Sequence, residues 1–243
     1  MNTDADIGGI ALHTGEDADT LAERLAGDVA TVLERAIEAR GGATLVVSGG
    51  STPPPMFERL RRLPLDWARV TITLADERVV EPADEQSNER LVKRMLLLDE
   101  AAAARWVSLY EDGLDSAQPD AALSRVAARV AALPGPFDVV LLGMGGDGHT
   151  ASLFPDAAEL ESAMSATPDV QVALLRPPSQ PLTRLSLVAA RLCAARHLWL
   201  HITGESKRAL LADSLSVESA RDGLPIARVL RKADTDRAIY WAP

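Results

Sequence analysis

The sequence predicts an α/β fold in which a mostly parallel sheet is flanked by helices on both faces. Short β-rich runs alternate with longer helical patterns, and neither a long linker nor a sequence repeat interrupts that alternation. Three polar segments follow predicted strands, at the edge where parallel sheets bind their ligands. The length of 243 residues favours one domain over 1–243, and 47% hydrophobic residues suffice for a sizeable core.

The first half of the chain begins with a helix, predicted over about 17–40 from apolar residues at helical spacing. Thr20 and Glu23 have the spacing of a capping box, and Gly41 is a typical stop signal. The fully apolar runs that come next are typical of strands buried in a parallel sheet. The expected order is a strand at 43–47, a helix after Phe57, a strand at 69–75, and helices at 87–98 and 120–133.

The second half contains one strong strand, 137–143, which runs into a glycine-rich segment. Weaker strands are expected at 170–175, 184–188, 197–202 and 237–242, with a helix at 204–215 between the last two. Strands that alternate with helices run parallel, so this order favours a continuation of the same sheet.

Composition limits the classes of partner and compartment. The chain has 35 acidic and 25 basic side chains and a formal charge of −10, which argues against binding to nucleic acid or to an anionic membrane surface. An anionic ligand therefore needs a local basic pocket. Cys193 is the single cysteine, and the N-terminal residues lack the pattern of a secretory leader. Since no apolar run reaches membrane-spanning length, we expect a cytoplasmic protein.

The first polar segment follows the strand at 43–47 and has the features of an anion-binding loop. Its backbone N–H groups and three hydroxyls suit a phosphate, although the Gly-Lys-Ser/Thr ending of a Walker loop is missing. The prolines at 53–55 remove N–H donors from the start of the next helix. A plain turn and a phosphate-binding loop both remain open here. The segment consists of Ser48, Gly49, Gly50, Ser51 and Thr52.

The second polar segment, Asp76-Glu77-Arg78, follows the strand at 69–75 and has two interpretations. It is either a solvated charge cluster at the strand end or part of a binding site. In the second case Arg78 binds a phosphate or carboxylate through two parallel hydrogen bonds, and Asp76 faces the pocket. The triplet alone does not decide between them.

The third polar segment, "GMGGDGHTAS", is the strongest functional signal in the chain. His149 lies two residues after Asp147, which can orient its ring, and an imidazole with an ordinary pKa of about 6.5 suits general-base catalysis. His13, His197 and His201 are scattered and the glycine spacing is not a dinucleotide fingerprint, so neither metal nor nucleotide is predicted. The glycines, which permit positive φ and close ligand approach, are Gly143, Gly145, Gly146 and Gly148.

These segments resemble the 6-phosphogluconolactonase family, within the wider group that includes glucosamine-6-phosphate deaminase. The matching stretches are "VVSGGSTP", "LADERVV", "SNERLVKRMLL", "LLGMGGDGHTASLFP" and "RLSLVAARLCAARHLWLHITGESKRALL". The resemblance covers nearly the whole chain. It implies the Rossmann-like fold of the glucosamine-6-phosphate deaminase/ribose-5-phosphate isomerase-like group. It also implies hydrolysis of 6-phospho-D-glucono-1,5-lactone in the oxidative pentose phosphate pathway, without metal or organic cofactor.

The resemblance assigns roles to particular residues as expectations. His149 is the general base, Asp147 orients it, and backbone amides of the glycine loop around Gly145 serve the oxyanion. The substrate is a phosphosugar lactone. Its expected contacts are Ser48, Gly49, Gly50, Ser51, Thr52, Asp76, Arg78, Asn88, Arg184 and Lys207. Arg184, Lys207 and Asn88 enter this set through the resemblance alone.

Two other functions remain alternatives. Deaminases of the group carry Phe-Asn-Glu-Pro, whose glutamate transfers protons, where this chain has Ser152-Leu153-Phe154-Pro155. They also tend to carry tyrosine at the position of Arg78, so an amino-sugar-phosphate isomerase or deaminase is less favoured. A non-catalytic sugar-phosphate sensor is disfavoured by the presence of both Asp147 and His149. The prolines at 53–55 are unusual for the family, and the sequence does not predict the oligomeric state.

Overall fold

The computed structural model describes residues 6–216 and 223–243, in which strands and helices alternate. The strands are β1 (Asp6–Ile7), β2 (Ile10–Thr14), β3 (Ala43–Val47), β4 (Val70–Leu74), β5 (Asp76–Arg78), β6 (Arg105–Val107), β7 (Phe137–Leu142), β8 (Val172–Leu175), β9 (Arg184–Leu187), β10 (Ala195–Thr203) and β11 (Asp236–Ala242). The helices are α1 (Ala18–Arg40), α2 (Pro54–Leu60), α3 (Asn88–Met95), α4 (Asp120–Ala131), α5 (Leu160–Ser165), α6 (Ala189–Cys193), α7 (Glu205–Ser216) and α8 (Pro225–Lys232). Short 3-10 helices lie at Trp67–Arg69 and Asp99–Ala103.

The main sheet has the strand order β1-β2-β11-β10-β7-β3-β4-β6. Its neighbouring strands run parallel except for the pair β1–β2. This arrangement, with helices packed around the sheet, confirms the predicted fold class. From β3 the chain proceeds outward through β4 to β6, and then returns to β7 on the other side of β3. The crevice beyond the carboxyl ends of β3 and β7 is therefore the switch point at which such sheets bind ligands.

The two central strands are apolar because both of their faces are covered. Every residue of β3 and of β7 is buried, as expected for interior strands of a parallel sheet. Asp138 is the charged residue in these two strands. Its carboxylate accepts hydrogen bonds from the amide and the hydroxyl of Thr44, and it also pairs with Arg40 and Arg196. The buried charge is thus compensated on several sides.

The long helix α1 begins and ends at specific residues. Its N-cap is Asp17, whose carboxylate accepts a hydrogen bond from the amide of Thr20 at 2.7 Å. The expected capping box of Thr20 and Glu23 is therefore wrong, because Thr20 already lies in the first helical turn. The same hydrogen bond lowers the pKa of Asp17. The stop at Gly41 is confirmed, since this residue adopts the left-handed conformation at the helix end.

Several expected elements differ in position or partner. The helix expected after Phe57 starts at Pro54, because a proline in the first turn needs no amide hydrogen bond. The strands predicted at 170–175 and 184–188 form, but they do not extend the main sheet. They pair with Asp76–Arg78 in a second, antiparallel sheet of order β5-β9-β8.

Other elements had no clear sequence signal. The polar triplet of the second sheet was expected to be a strand end, yet it forms β5. The sequence patterns also missed β1, β2, β6, α5, α6 and α8, most of which are short. None of the helices within residues 6–216 and 223–243 combines the length and the apolar character needed to cross a membrane.

Candidate active site

A cavity of about 240 Å³ lies at the carboxyl ends of β3 and β7. It collects the three polar segments together with three predicted residues from other parts of the chain, Asn88, Arg184 and Lys207. Asp147 and Gly145 are the predicted site residues that do not line it. The predicted residues on its wall are Ser48, Gly49, Gly50, Ser51, Thr52, Asp76, Arg78, Asn88, His149, Arg184 and Lys207. Their functional roles remain predictions.

The loop after β3 forms one wall of the cavity. Ser48 donates its hydroxyl to the carbonyl of Leu141 at 3.1 Å, which ties the loop to the end of β7. A Cβ atom on Gly49 would collide with the side-chain amide of Asn88, so this position requires glycine. In the described part of the chain, the amides of 49–52 donate no hydrogen bond to the backbone. They are thus available to an anion in the cavity.

The loop after β7 places His149 on the opposite wall. Its Nδ1 lies 2.5 Å from Oδ1 of Asp147, which also accepts the amide of His149 at 3.2 Å. Asp147 sits behind the ring, so the second ring nitrogen, Nε2, is the one left for chemistry in the cavity. Phe154 stacks on the imidazole with the ring centroids 4.0 Å apart and the planes at 25°. The ring orientation is therefore fixed by two contacts.

The glycines of this loop have separate functions in its geometry. A Cβ atom on Gly145 would collide with the ring of His149, and the Gly145 amide donates to the carbonyl of His149 at 3.0 Å. Gly145 therefore supports the histidine from behind. Positive φ was expected for the four glycines at 143, 145, 146 and 148, yet only Gly148 adopts it, with a φ of 79°. The others keep ordinary backbone angles.

The second sheet supplies positive charge to the cavity. Arg78 on β5 pairs in register with Arg184 on β9, which brings the two guanidinium groups to the same side of the site. Arg184 is buried, and its guanidinium lies 5.6 Å from the ring centroid of Phe154. Burial, together with the charge of Arg78, lowers the pKa of Arg184. An anion between the two guanidinium groups would offset both the loss of hydration on burial and the repulsion between the two positive charges.

The acidic residues of the second polar segment are buried, so the interpretation as a solvated charge cluster is wrong. Asp76 accepts the hydroxyl of Ser152 at 2.5 Å. Glu77 accepts the hydroxyl of Ser87 at 3.0 Å and the amides of Arg78, Asn88 and Glu89 at 2.7 Å each. Burial raises the pKa of Glu77 to about 7. Glu77 thereby anchors the start of α3, which carries Asn88 into the cavity.

Known proteins share this arrangement along nearly the whole chain. A family model described as glucosamine-6-phosphate isomerases/6-phosphogluconolactonase matches residues 16–241. The chain belongs to this family. A relative from Rhizobium meliloti, named 6-phosphogluconolactonase, is 44% identical over 232 residues, which are 96% of this chain and 98% of the relative. One from Pseudomonas aeruginosa with the same name is 42% identical over 239 residues, covering 97% of this chain and 96% of the relative.

Solved structures agree with the family assignment. A crystal structure of a 6-phosphogluconolactonase from Shewanella baltica has a TM-score of 0.90 and 37% identity, covering 98% of this chain and 100% of that one. A monomeric glucosamine-6-phosphate deaminase has a TM-score of 0.74 at 17% identity, covering 95% and 96%. At that identity the likeness concerns the fold alone. The two branches of the family thus share one architecture, and side chains must distinguish them.

The cavity also contains four residues for which the sequence patterns predict no role. They are Ser152, Phe154, Gln180 and His201. The position of Phe154 shortly after the histidine loop is a partial indication in the sequence that it lines the cavity. Gln180 accepts a hydrogen bond from Arg184 at 2.7 Å, and nothing local in the sequence indicates this contact. His201 was grouped with the scattered histidines, although it lies near the carboxyl end of a predicted strand.

A metal site requires several ligand side chains close together. Within 6–216 and 223–243, no three histidine, cysteine, aspartate or glutamate side chains cluster in a way that could hold a metal ion. The His149–Asp147 pair at the cavity is in contact at 2.5 Å. Its geometry suits a hydrogen-bonded base and its orienting acid.

Proposed function

We propose that this chain hydrolyses 6-phospho-D-glucono-1,5-lactone to 6-phospho-D-gluconate, a step of the oxidative pentose phosphate pathway. The observation that carries the proposal is the His149–Asp147 pair, held at 2.5 Å on a cavity wall that also presents Arg78, Arg184 and Lys207. A base and a cationic cluster in one cavity suit an ester-like substrate that bears a phosphate. Full-length relatives named 6-phosphogluconolactonase support the same reaction.

In the proposed reaction, His149 activates water. Nε2 removes a proton from the water as its oxygen attacks the lactone carbonyl carbon, and a tetrahedral oxyanion forms. The bond from that carbon to the ring oxygen then breaks, and the imidazolium returns the proton to the departing oxygen. Asp147 keeps the ring in place through the contact of its carboxylate with Nδ1 at 2.5 Å, so that Nε2 faces the water.

The remaining site residues hold the two ends of the substrate. The phosphate lies between the free amides of 49–52 and the cations Arg78, Arg184 and Lys207, which together outweigh the repulsion from a chain of net charge −10. Amides of the loop 143–148 stabilise the oxyanion, except those of Gly145 and Gly148, which already donate to carbonyls of the same loop. Asn88 and Asp76 contact sugar hydroxyls. The setting is a reducing compartment, the cytoplasm, in keeping with the single cysteine.

The deaminase alternative is less favoured because of Phe154. It occupies the position at which deaminases of the group carry a proton-transferring glutamate, and a phenyl ring transfers no proton. Phe154 is buried between His149 and Arg184, so this difference lies inside the site itself. A sensor would need no base, yet the site holds one with its orienting acid.

The test generates the lactone in situ from glucose 6-phosphate with a dehydrogenase and follows its disappearance. We expect rapid loss with the native protein, and loss at the uncatalysed rate with His149→Asn and without protein. The matched control is His197→Asn, because His197 also contacts an aspartate, Asp236, at 2.7 Å but does not line the cavity. This control should keep full activity. Equal rates in every reaction would refute the lactonase proposal.

A further inference from the structure

His201 is a buried polar residue for which the proposed reaction has no use. It lies in β10, two residues before the strand end, and only 4% of its surface is exposed. Its ring lines the cavity. Its Nδ1 is buried and has no hydrogen-bond partner among the described residues. A buried polar atom without a partner lowers the stability of the fold, so its presence calls for a physical reason.

Two further buried polar atoms without a hydrogen-bond partner in the described chain belong to residues of this cavity. Oδ1 of Asn88 and Nε of Arg184 are also buried without a partner, and both residues line the cavity beside His201. On β10 itself, the neighbours Leu200 and Ile202 are fully buried and apolar. An apolar residue at 201 would fit the same surroundings at lower cost. The polar ring is therefore directed to something that enters the cavity.

The surroundings of His201 determine its protonation state. Burial and the nearby charge of Lys207 lower the pKa of His201 to about 4. The ring is consequently neutral at neutral pH, with one nitrogen as donor and the other as acceptor. A buried acceptor without a partner costs less than a buried donor without one, so the proton belongs on Nε2. This leaves an N–H group as the polar function offered by the ring.

We propose that His201 is a substrate-binding residue, which donates a hydrogen bond from Nε2 to an oxygen of the substrate phosphate beside Lys207. The inference rests on the proposed function and refines its binding site. The position beside Lys207 favours the phosphate end, because the two side chains are close enough for their charges to interact. A neutral donor adds a hydrogen bond there without adding a further repulsive charge to the cationic cluster.

The test compares His201→Phe with His201→Gln. Phe keeps the ring volume and removes the donor, while Gln places an amide N–H near the position of Nε2. Because Nδ1 has no hydrogen-bond partner within residues 6–216 and 223–243, neither change breaks a hydrogen bond of that atom in the described fold. His197→Gln is the matched control, since His197 lies on the same strand but outside the cavity. If the Phe variant does not fold, as judged by circular dichroism, His201→Leu replaces it in the comparison.

Two measurements separate this inference from the proposed function. One is the KM and kcat for 6-phosphogluconolactone. The other is calorimetric binding of 6-phosphogluconate, together with its competition by inorganic phosphate, which needs no turnover. For the Phe variant we expect KM, the Kd of 6-phosphogluconate and the inhibition constant of phosphate to rise about tenfold to a hundredfold. The kcat should stay within about twofold. The Gln variant should recover most of the affinity.

Each contrary result has a separate meaning. An unchanged Kd and phosphate inhibition constant in the Phe variant would overturn the inference, as would a loss confined to kcat. A native protein that binds 6-phosphogluconate without hydrolysing the lactone would refute the proposed function, while the Kd ratio between native protein and Phe variant would still decide the role of His201. A native protein that binds neither 6-phosphogluconate nor phosphate would overturn both.

Discussion

At the scale of single residues, Phe154 contacts both the proposed base, His149, and the cationic side of the cavity. Its ring stacks on His149 at 4.0 Å and faces the Arg184 guanidinium at 5.6 Å. The ring thus restricts the imidazole on the face that Asp147 does not touch. An imidazole held by packing as well as by a hydrogen bond keeps its Nε2 directed at one point, which the proposed attack by water requires.

Replacement of Phe154 by leucine tests this positioning role. We expect Phe154→Leu to lower kcat about tenfold while KM changes less, because the imidazole loses its stacking partner but the phosphate contacts remain. The control is Phe137→Leu, which removes another buried ring that faces an arginine, Arg191, at 3.9 Å and lies outside the cavity. Both variants should lose roughly 1–2 kcal/mol of unfolding free energy in urea. If the two variants had equal kcat values, Phe154 would have no specific effect on the base.

Single residues also mark the limit of prediction from the sequence. His149 and the loop at 48–52 could be found because glycine-rich segments after apolar strands have a local pattern. Phe154 closely follows the histidine loop, so the sequence carries a partial signal for it. Gln180 and His201 come from distant parts of the chain, and no local pattern indicates that they reach the cavity. His201 in particular belongs to an apolar strand whose neighbours are all core residues. Its importance is visible only once the cavity beside it is known.

At the scale of elements, the second sheet explains why Arg78 and Arg184 meet. The sequence predicted strands at 170–175 and 184–188, but it could not give their partner, because pairing of β9 with β5 joins segments about a hundred residues apart. The carboxylate of Glu77 connects this layer to α3, because it accepts hydrogen bonds from the amides of Asn88 and Glu89 and from the Ser87 hydroxyl. A buried acid thereby links the strand that carries Arg78 to the helix that carries Asn88.

The raised pKa of Glu77 predicts a specific pH dependence of stability. Its pKa rises from 4.5 to about 7 on folding, so the folded state binds more protons than the unfolded state between these values. The stability contributed by this group is complete below pH 4.5 and is lost as pH rises through 7. Between pH 4.5 and 8, we expect the unfolding free energy of native protein to fall by about 3 kcal/mol relative to that of Glu77→Gln. Urea unfolding at several pH values measures this difference.

A second variant provides the control for that experiment. The pKa of Glu111 is lowered by its hydrogen bonds to Arg129 and Arg125, so its contribution has the opposite sign and is lost only as pH falls below 4.5. The difference in unfolding free energy between native protein and Glu111→Gln should therefore stay constant between pH 4.5 and 8. A Glu77→Gln curve parallel to that of the native protein would show that Glu77 keeps an ordinary pKa when folded.

At the scale of the whole molecule, the two sheets share one apolar core. Leu185 and Leu187 of β9 belong to the same buried cluster as Leu74 and Leu142 of the main sheet. The backbone continues the connection, since the amide of Leu187 donates to the carbonyl of Ala75 at 2.9 Å. The cationic wall of the cavity is thus built on a layer that the main core supports. This shared core supports the prediction, made from chain length, of a single domain over 1–243.

We predict that both sheets unfold in one cooperative transition. Hydrogen exchange followed by mass spectrometry at increasing urea should give the amides of 172–175 and 184–187 the same opening free energy and the same urea dependence as those of 137–142. Peptides that cover β2 and β11 act as the internal comparison, because they lie toward the far edge of the main sheet. Exchange of β8 and β9 at a clearly lower urea concentration would show that the second sheet is a separate unit. In that case the pairing of Arg78 with Arg184 would open before the core does, and phosphate affinity would fall at urea concentrations that leave the main sheet folded.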